Sequence, residues 1–183
     1  MKSEEELLKL AEEKGWLCLS SEEPLSESFI EKYQDKVNLW HISCDQKLSQ
    51  SFIEKFKNKV DWQCISLYQK LSESFIEKFK NRVEWQCISC NQKLSESFIE
   101  KFKNRVDWES ISYFQELSES FIEKYKDIVF WKAISTFQNL SEDFVLDNFS
   151  KIDLKELKQN KYFDFKNIKN TELKLLLELR GEV

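Results

Sequence analysis

Chemistry, if this chain performs any, has to start from five cysteines and a single histidine. Cys87 and Cys90 form a C-x-x-C pair, His41 and Cys44 repeat that spacing upstream, and Cys64 lies between them. Tetrahedral zinc needs four such ligands about 2.0–2.3 Å from the metal. Neighbouring helices pack about 8–10 Å apart, so groups two helices apart do not readily share one ion. A lone C-x-x-C with no second pair and no βαβ context is also a weak redox signature. Packing is the simpler expectation. Cys18, Cys64 and Cys87 share one slot with Ser110 and Ala133, where a small residue allows close approach. No cofactor or metal is therefore expected, and a thiol or metal site near Cys64, Cys87 and Cys90 stands as an alternative.

Nucleophilic catalysis has less to work with. One histidine, His41, supplies no Ser-His-Asp constellation, and no glycine-rich phosphate loop is present. Glu31, Glu54, Glu77, Glu100 and Glu123 form a row beside Lys32, Lys55, Lys78, Lys101 and Lys124. A solvated face is the expected reading, with electrostatic steering of a charged partner as its alternative. The chain is read as a non-enzyme.

These residues are positioned by a repeat. Leu25, Leu48, Leu71, Leu94, Leu117 and Leu140 recur every 23 residues and open one phrase, roughly L-S-E-S-F-I-E-K-F-K-N-K-V-D-W-x-x-I-S-x-x-Q-K. A short period held over most of a chain means a stacked array in which each unit buries its apolar face against its neighbours. In the copy from Leu71, Ser72 is placed to cap a helix, and Phe75, Ile76, Phe79 and Val83 make one apolar stripe of about ten residues. A second helix of about eight residues begins after an Asp61-type cap, with Trp62, Ile65, Ser66 and Gln69 on one face. Both helices are too short to stand alone in water, so stacking has to stabilise them. Two glycines and one proline leave little turn chemistry.

The expected fold is all-α: an α-solenoid of short antiparallel helical hairpins, two helices per 23-residue repeat. Residues 1–24 read as a degenerate N-terminal capping repeat, with Ser3 capping its helix and Gly15 ending it in left-handed geometry. Residues 25–139 hold five clear repeats, 140–162 a worn one, and 163–183 a C-terminal helix capped by Thr171. That makes about seven hairpins and a capping helix. In the first full copy Leu39 stands in the tryptophan slot and Trp40 follows it. The expectation there is a rotated helix or local repacking.

The invariant rows Ser20, Ser43, Ser66, Ser89, Ser112, Ser135 and Gln46, Gln69, Gln92, Gln115, Gln138 face inward. As buried polar groups they need partners, from backbone or from the neighbouring repeat's loop. Variation concentrates on the outer face of the second helices, at Gln63, Leu67, Tyr68, Gln86, Asn91, Glu109, Tyr113, Phe114, Lys132 and Phe137. Solenoids use such a row as a recognition surface, and this aromatic and polar mixture suits an interface. The expected partner is a protein of unknown identity, with self-association into a larger structure as the alternative.

A net charge of −5 argues against nucleic acid, which needs a basic face. No apolar run approaches the roughly 18 residues of a membrane span. The acidic start MKSEEELLKL has no signal-peptide core, and the odd cysteine count suits reduced thiols in a cytoplasmic setting.

Across Trp16 to Tyr162, the segments L-S-E-S-F-I and V-D-W-x-x-I-S resemble those of short tandem-repeat proteins of giant DNA viruses of amoebae. The resemblance implies an all-α solenoid and a viral product at work in the cytoplasm of an infected host. It brings no catalytic residues with it.

Overall fold

The computed structural model describes residues 2–181, and every regular element among them is helical. The fold is an α-solenoid of 23-residue helix pairs, each packed on its neighbour, and it divides into two compact units, Met1–Gln92 and Lys93–Val183. The first unit holds α1 (Glu4–Lys14), α2 (Trp16–Glu22), α3 (Glu27–Lys32), α4 (Leu39–Asp45), α5 (Gln50–Lys55), α6 (Trp62–Tyr68), α7 (Glu73–Lys78) and α8 (Trp85–Asn91). The second holds α9 (Glu96–Lys101), α10 (Trp108–Phe114), α11 (Glu119–Lys124), α12 (Trp131–Phe137), α13 (Glu142–Asp147), α14 (Leu154–Leu157), a 3₁₀ turn at Phe165–Asn167 and α15 (Thr171–Leu179). Second helices stack in a row: α2, α4, α6 and α8 in one unit, α10, α12 and α14 in the other.

Serine hydroxyls start the first helices. Ser72 Oγ accepts from Phe75 N–H at 3.2 Å, and the same bond recurs at Ser26, Ser49, Ser95, Ser118 and Ser141. These helices run six residues rather than ten. At Phe79 the backbone leaves helical geometry, and Arg82 and Val83 N–H both turn back to its carbonyl at 2.8 and 3.1 Å. A tight turn, not further helix, delivers Val83 to the core. Asp61 caps α6 through Cys64 N–H at 2.8 Å. Gly15 has φ 87° and ψ 155°, an extended positive-φ state rather than the left-handed helical one, because it also opens α2. Asn170, one residue before Thr171, caps α15.

Each unit has a core column of isoleucines with no exposed surface, among them Ile42, Ile65 and Ile88 in the first and Ile111 and Ile134 in the second. Beside it, the polar rows bind one repeat to the next. Ser43 Oγ donates to Leu39 C=O at 2.7 Å in its own helix and accepts Asp61 N–H of the next repeat at 3.0 Å. Gln69 Oε1 accepts Leu48 N–H at 3.1 Å, while its Nε2 donates to Ser43 and Gln46 carbonyls at 2.9 and 2.7 Å. Ser112 and Gln138 repeat both patterns in the second unit. In the worn repeat, where α14 is a single turn, Asn160 takes the glutamine's place and donates to Ser135 and Gln138 carbonyls at 2.8 Å each. Polar rows and apolar column together fix the spacing of neighbours.

Tryptophans clamp the other side. Trp62 stacks over Phe75 of the next repeat with centroids 6.4 Å apart and tilts onto Phe79 at 5.0 Å, while its indole N–H closes onto Lys57 C=O at 2.9 Å. At the irregular copy the helix is not rotated. Ile42 and Ser43 keep their fully buried places and Leu39 fills the clamp slot, so Trp40 is left 54% exposed. Repacking is local. Without an indole above them, Phe52 and Phe56 close to an interplanar angle of 22°, against 47° for Phe75 and Phe79.

The glutamate and lysine rows lie on the surface and pair across repeats. Lys55 reaches Glu31 at 2.7 Å, Lys78 pairs with Glu54, and Lys124 with Glu100. The hydrogen bond to Lys124 holds the Glu100 carboxyl below its usual value and the ammonium above its own. Paired in this way, the rows lack the single-sign field that steering needs. Among the described residues no helix is long and apolar enough to cross a membrane.

Candidate interaction surface

The outward positions of the second helices divide by exposure. In the first unit Gln63, Tyr68, Gln86 and Asn91 are exposed and Leu67 is half-buried. Tyr68 is 61% exposed, and Asn91 turns its amide to Cys87 C=O at 3.0 Å. These side chains form no ring cluster with one another.

The second unit is different. Tyr113 on α10 lies 6.0 Å from Phe114, 5.5 Å from Phe137 on α12 and 5.7 Å from Phe130 in the loop before α12, centroid to centroid. Phe114, Phe137 and Phe130 are 62%, 49% and 38% exposed, so three rings stand in solvent around a half-buried tyrosine. At roughly 200 Å² per aromatic side chain this leaves about 300 Å² of open ring surface. That lies at the lower end of the largest apolar patch on a typical folded chain, about 300–600 Å², and such patches are often functional. Glu109 on α10 and Lys132 on α12 are also exposed, and Lys132 pairs with Glu156 at 3.4 Å.

Phe130 was not among the residues singled out by sequence, yet its slot carries a signal. Of the residues in the equivalent place Asn38, Asp61, Asp107 and Asp153 each cap their helix, whereas neither Glu84 before α8 nor Phe130 before α12 makes a side-chain cap bond. Two places earlier, Ile128 is 49% exposed where other copies carry Lys59, Arg82 and Arg105. A repeat has lost its cap and a surface charge and gained exposed apolar side chains. Phe130→Asp should restore the cap and be about 1 kcal/mol more stable in a chemical melt than Phe130→Ala, which loses the same ring contact with Tyr113 without gaining a cap.

The expectation of reduced thiols holds at Cys18, Cys87 and Cys90 but not at the other two cysteines. Cys44 and Cys64 form a disulfide between α4 and α6, with Cα atoms 4.8 Å apart. The stacking register sets the residue after Ser43 opposite the residue before Ile65, and in the second unit it likewise sets Thr136, after Ser135, 3.3 Å from Glu156, before Leu157. A thiol or metal site shared by Cys64, Cys87 and Cys90 is thereby broken up, since Cys64 is already bonded. Among the described residues no three His, Cys, Asp or Glu side chains are grouped to hold a metal ion. Burial pushes the Cys87 thiol up, and a hydrogen bond with Glu22 does so at Cys18. Both are thus poorer nucleophiles at neutral pH than an exposed thiol. His41 Nδ1 lies 3.0 Å from Asp45 on its own helix.

No family model, curated protein or solved structure matches this chain.

Proposed function

We propose that this chain is a non-enzymatic repeat scaffold that binds another protein through its second helices, centred on Tyr113, Phe114, Phe130 and Phe137. The observation that carries the reading is the ring cluster itself, three exposed rings gathered around Tyr113, in a unit whose other aromatic side chains are buried or half-buried apart from Tyr162. The loss of the cap at Phe130 supports it, because exposed apolar rings kept at the expense of local stability are what a binding site shows. The resemblance to giant-virus repeat proteins adds a setting, the cytoplasm of an infected host, where the partner is a host protein.

The experiment is affinity capture with the whole chain as bait, followed by measurement of dissociation constants for the captured partner. Phe114→Ala with Phe137→Ala should weaken that binding by at least 100-fold, as expected of hot-spot rings. Trp40→Ala, an exposed ring outside the cluster, should leave it unchanged. Equal binding by the double variant and the wild type sinks the reading, and so does a chain that captures only itself.

A further inference from the structure

Two departures from the repeat fall on the same boundary. Where Trp16 lies over Phe29 and Tyr33, and Trp62 over Phe75 and Phe79, an indole of one repeat clamps the first helix of the next. Between the α3–α4 repeat and the α5–α6 repeat that indole is missing, because Leu39 occupies its slot and Trp40 points to solvent. It is this boundary that the Cys44–Cys64 bond crosses, from α4 to α6.

We propose that the disulfide is a redox-controlled clamp that stands in for the absent indole, so that reduction loosens the first unit at this one boundary. Cys44 is partly exposed and Cys64 is 5% exposed, so Cys44 Sγ is the sulfur open to attack. A thiolate of a dithiol reductant attacks Cys44 Sγ, the Cys44–Cys64 bond breaks, and Cys64 leaves as a thiolate that takes up a proton. The reductant's second thiol then displaces Cys44 from the mixed disulfide. Two cysteine thiols and one oxidised reductant result, with two electrons and two protons delivered to the protein. The bond closes a loop of 20 residues between neighbouring helices, so breaking it returns that freedom to the segment it spans. Elsewhere in the unit the indole clamps persist through reduction, which confines the opening.

Hydrogen exchange read by mass spectrometry, on the full chain equilibrated with oxidised glutathione and then with or without dithiothreitol, tests the proposal. Thiol titration of the oxidised protein should find three thiols, those of Cys18, Cys87 and Cys90. Reduction should speed exchange roughly tenfold or more at residues 38–48 and 61–68 while residues 85–91 hold. Cys44→Ser should show the fast exchange without reductant. Leu39→Trp with Trp40→Gln, which rebuilds the Trp62-Gln63 arrangement at the deficient slot, should remove the sensitivity to reductant. Five titratable thiols after oxidation overturn the proposal, as does exchange that reduction leaves unchanged or raises evenly over residues 2–92. Sensitivity that survives in the Leu39→Trp, Trp40→Gln variant also overturns it, because the bond would then not be replacing an indole. Should Cys44→Ser fail to fold, reduction of the wild type still decides.

Discussion

Gln69→Leu is expected to lower the unfolding free energy by about 3 kcal/mol or more, out of a total of about 5–15 for a domain of this kind. The side chain is 6% exposed and makes three backbone hydrogen bonds, two to carbonyls of the preceding repeat and one from the Leu48 N–H that opens its own. Leucine fills a similar volume but orphans the Leu48 N–H and the carbonyls of Ser43 and Gln46. Each buried polar group left without a partner costs about 1–3 kcal/mol. A urea titration should show the midpoint fall at an unchanged slope, which separates lost stability from a change in the unfolded state. Gln63→Leu, on the exposed face of the same helix, should stay within about 0.5 kcal/mol. A loss under 1 kcal/mol for Gln69→Leu would show that the polar rows do not hold neighbouring repeats together.

The second large effect contrasts two residues of one type. Trp62→Ala removes an indole that touches both Phe75 and Phe79 and whose N–H binds Lys57 C=O. Truncating a packed tryptophan costs about 3–5 kcal/mol, and because Trp62 is half-buried the lower end applies. Trp40→Ala removes a ring that is 54% exposed and meets only the edge of His41 among the described aromatic contacts, so about 0.5 kcal/mol or less is expected. Paired thermal melts of the two variants check this. Equal losses would mean that Trp40 is packed and that the helix carrying it is turned.

That pair also marks how far the sequence could be read. The 3.6-residue stripes and the Ser72 and Asp61 caps are local signals, and the helices follow from them. The length of the first helix did not follow, because Val83 continues the apolar stripe whether helix or turn delivers it. Trp40 left two outcomes open, since the pattern within one helix does not say which flank the next repeat covers. Cys44 and Cys64 were missed for a related reason. Their meeting depends on the offset between stacked helices, which lies in the packing and not in either helix. The candidate surface was partly legible: Tyr113, Phe114 and Phe137 were found as positions that vary, while Phe130 hid in a slot judged by its capping role. Comparing side chains within that slot would have exposed it, because an aromatic residue replaces a cap only at some loss to the helix.

The serine and glutamine bonds have a consequence for how such a chain grows. Within each unit a glutamine reaches back to carbonyls 23 and 26 residues earlier and accepts an N–H from 21 earlier, and a serine accepts from 18 later. In the regular copies these donors and acceptors are thus matched by counting along the chain, not by the identity of a particular copy. Duplicating a 23-residue segment therefore inserts a new unit whose polar groups find partners on both sides. Where the register shifts by one residue, at Asn160, a shorter amide is needed to reach the same two carbonyls. Tandem duplication in whole periods is the form of mutation this architecture tolerates, and array length can change between generations while the packing stays the same.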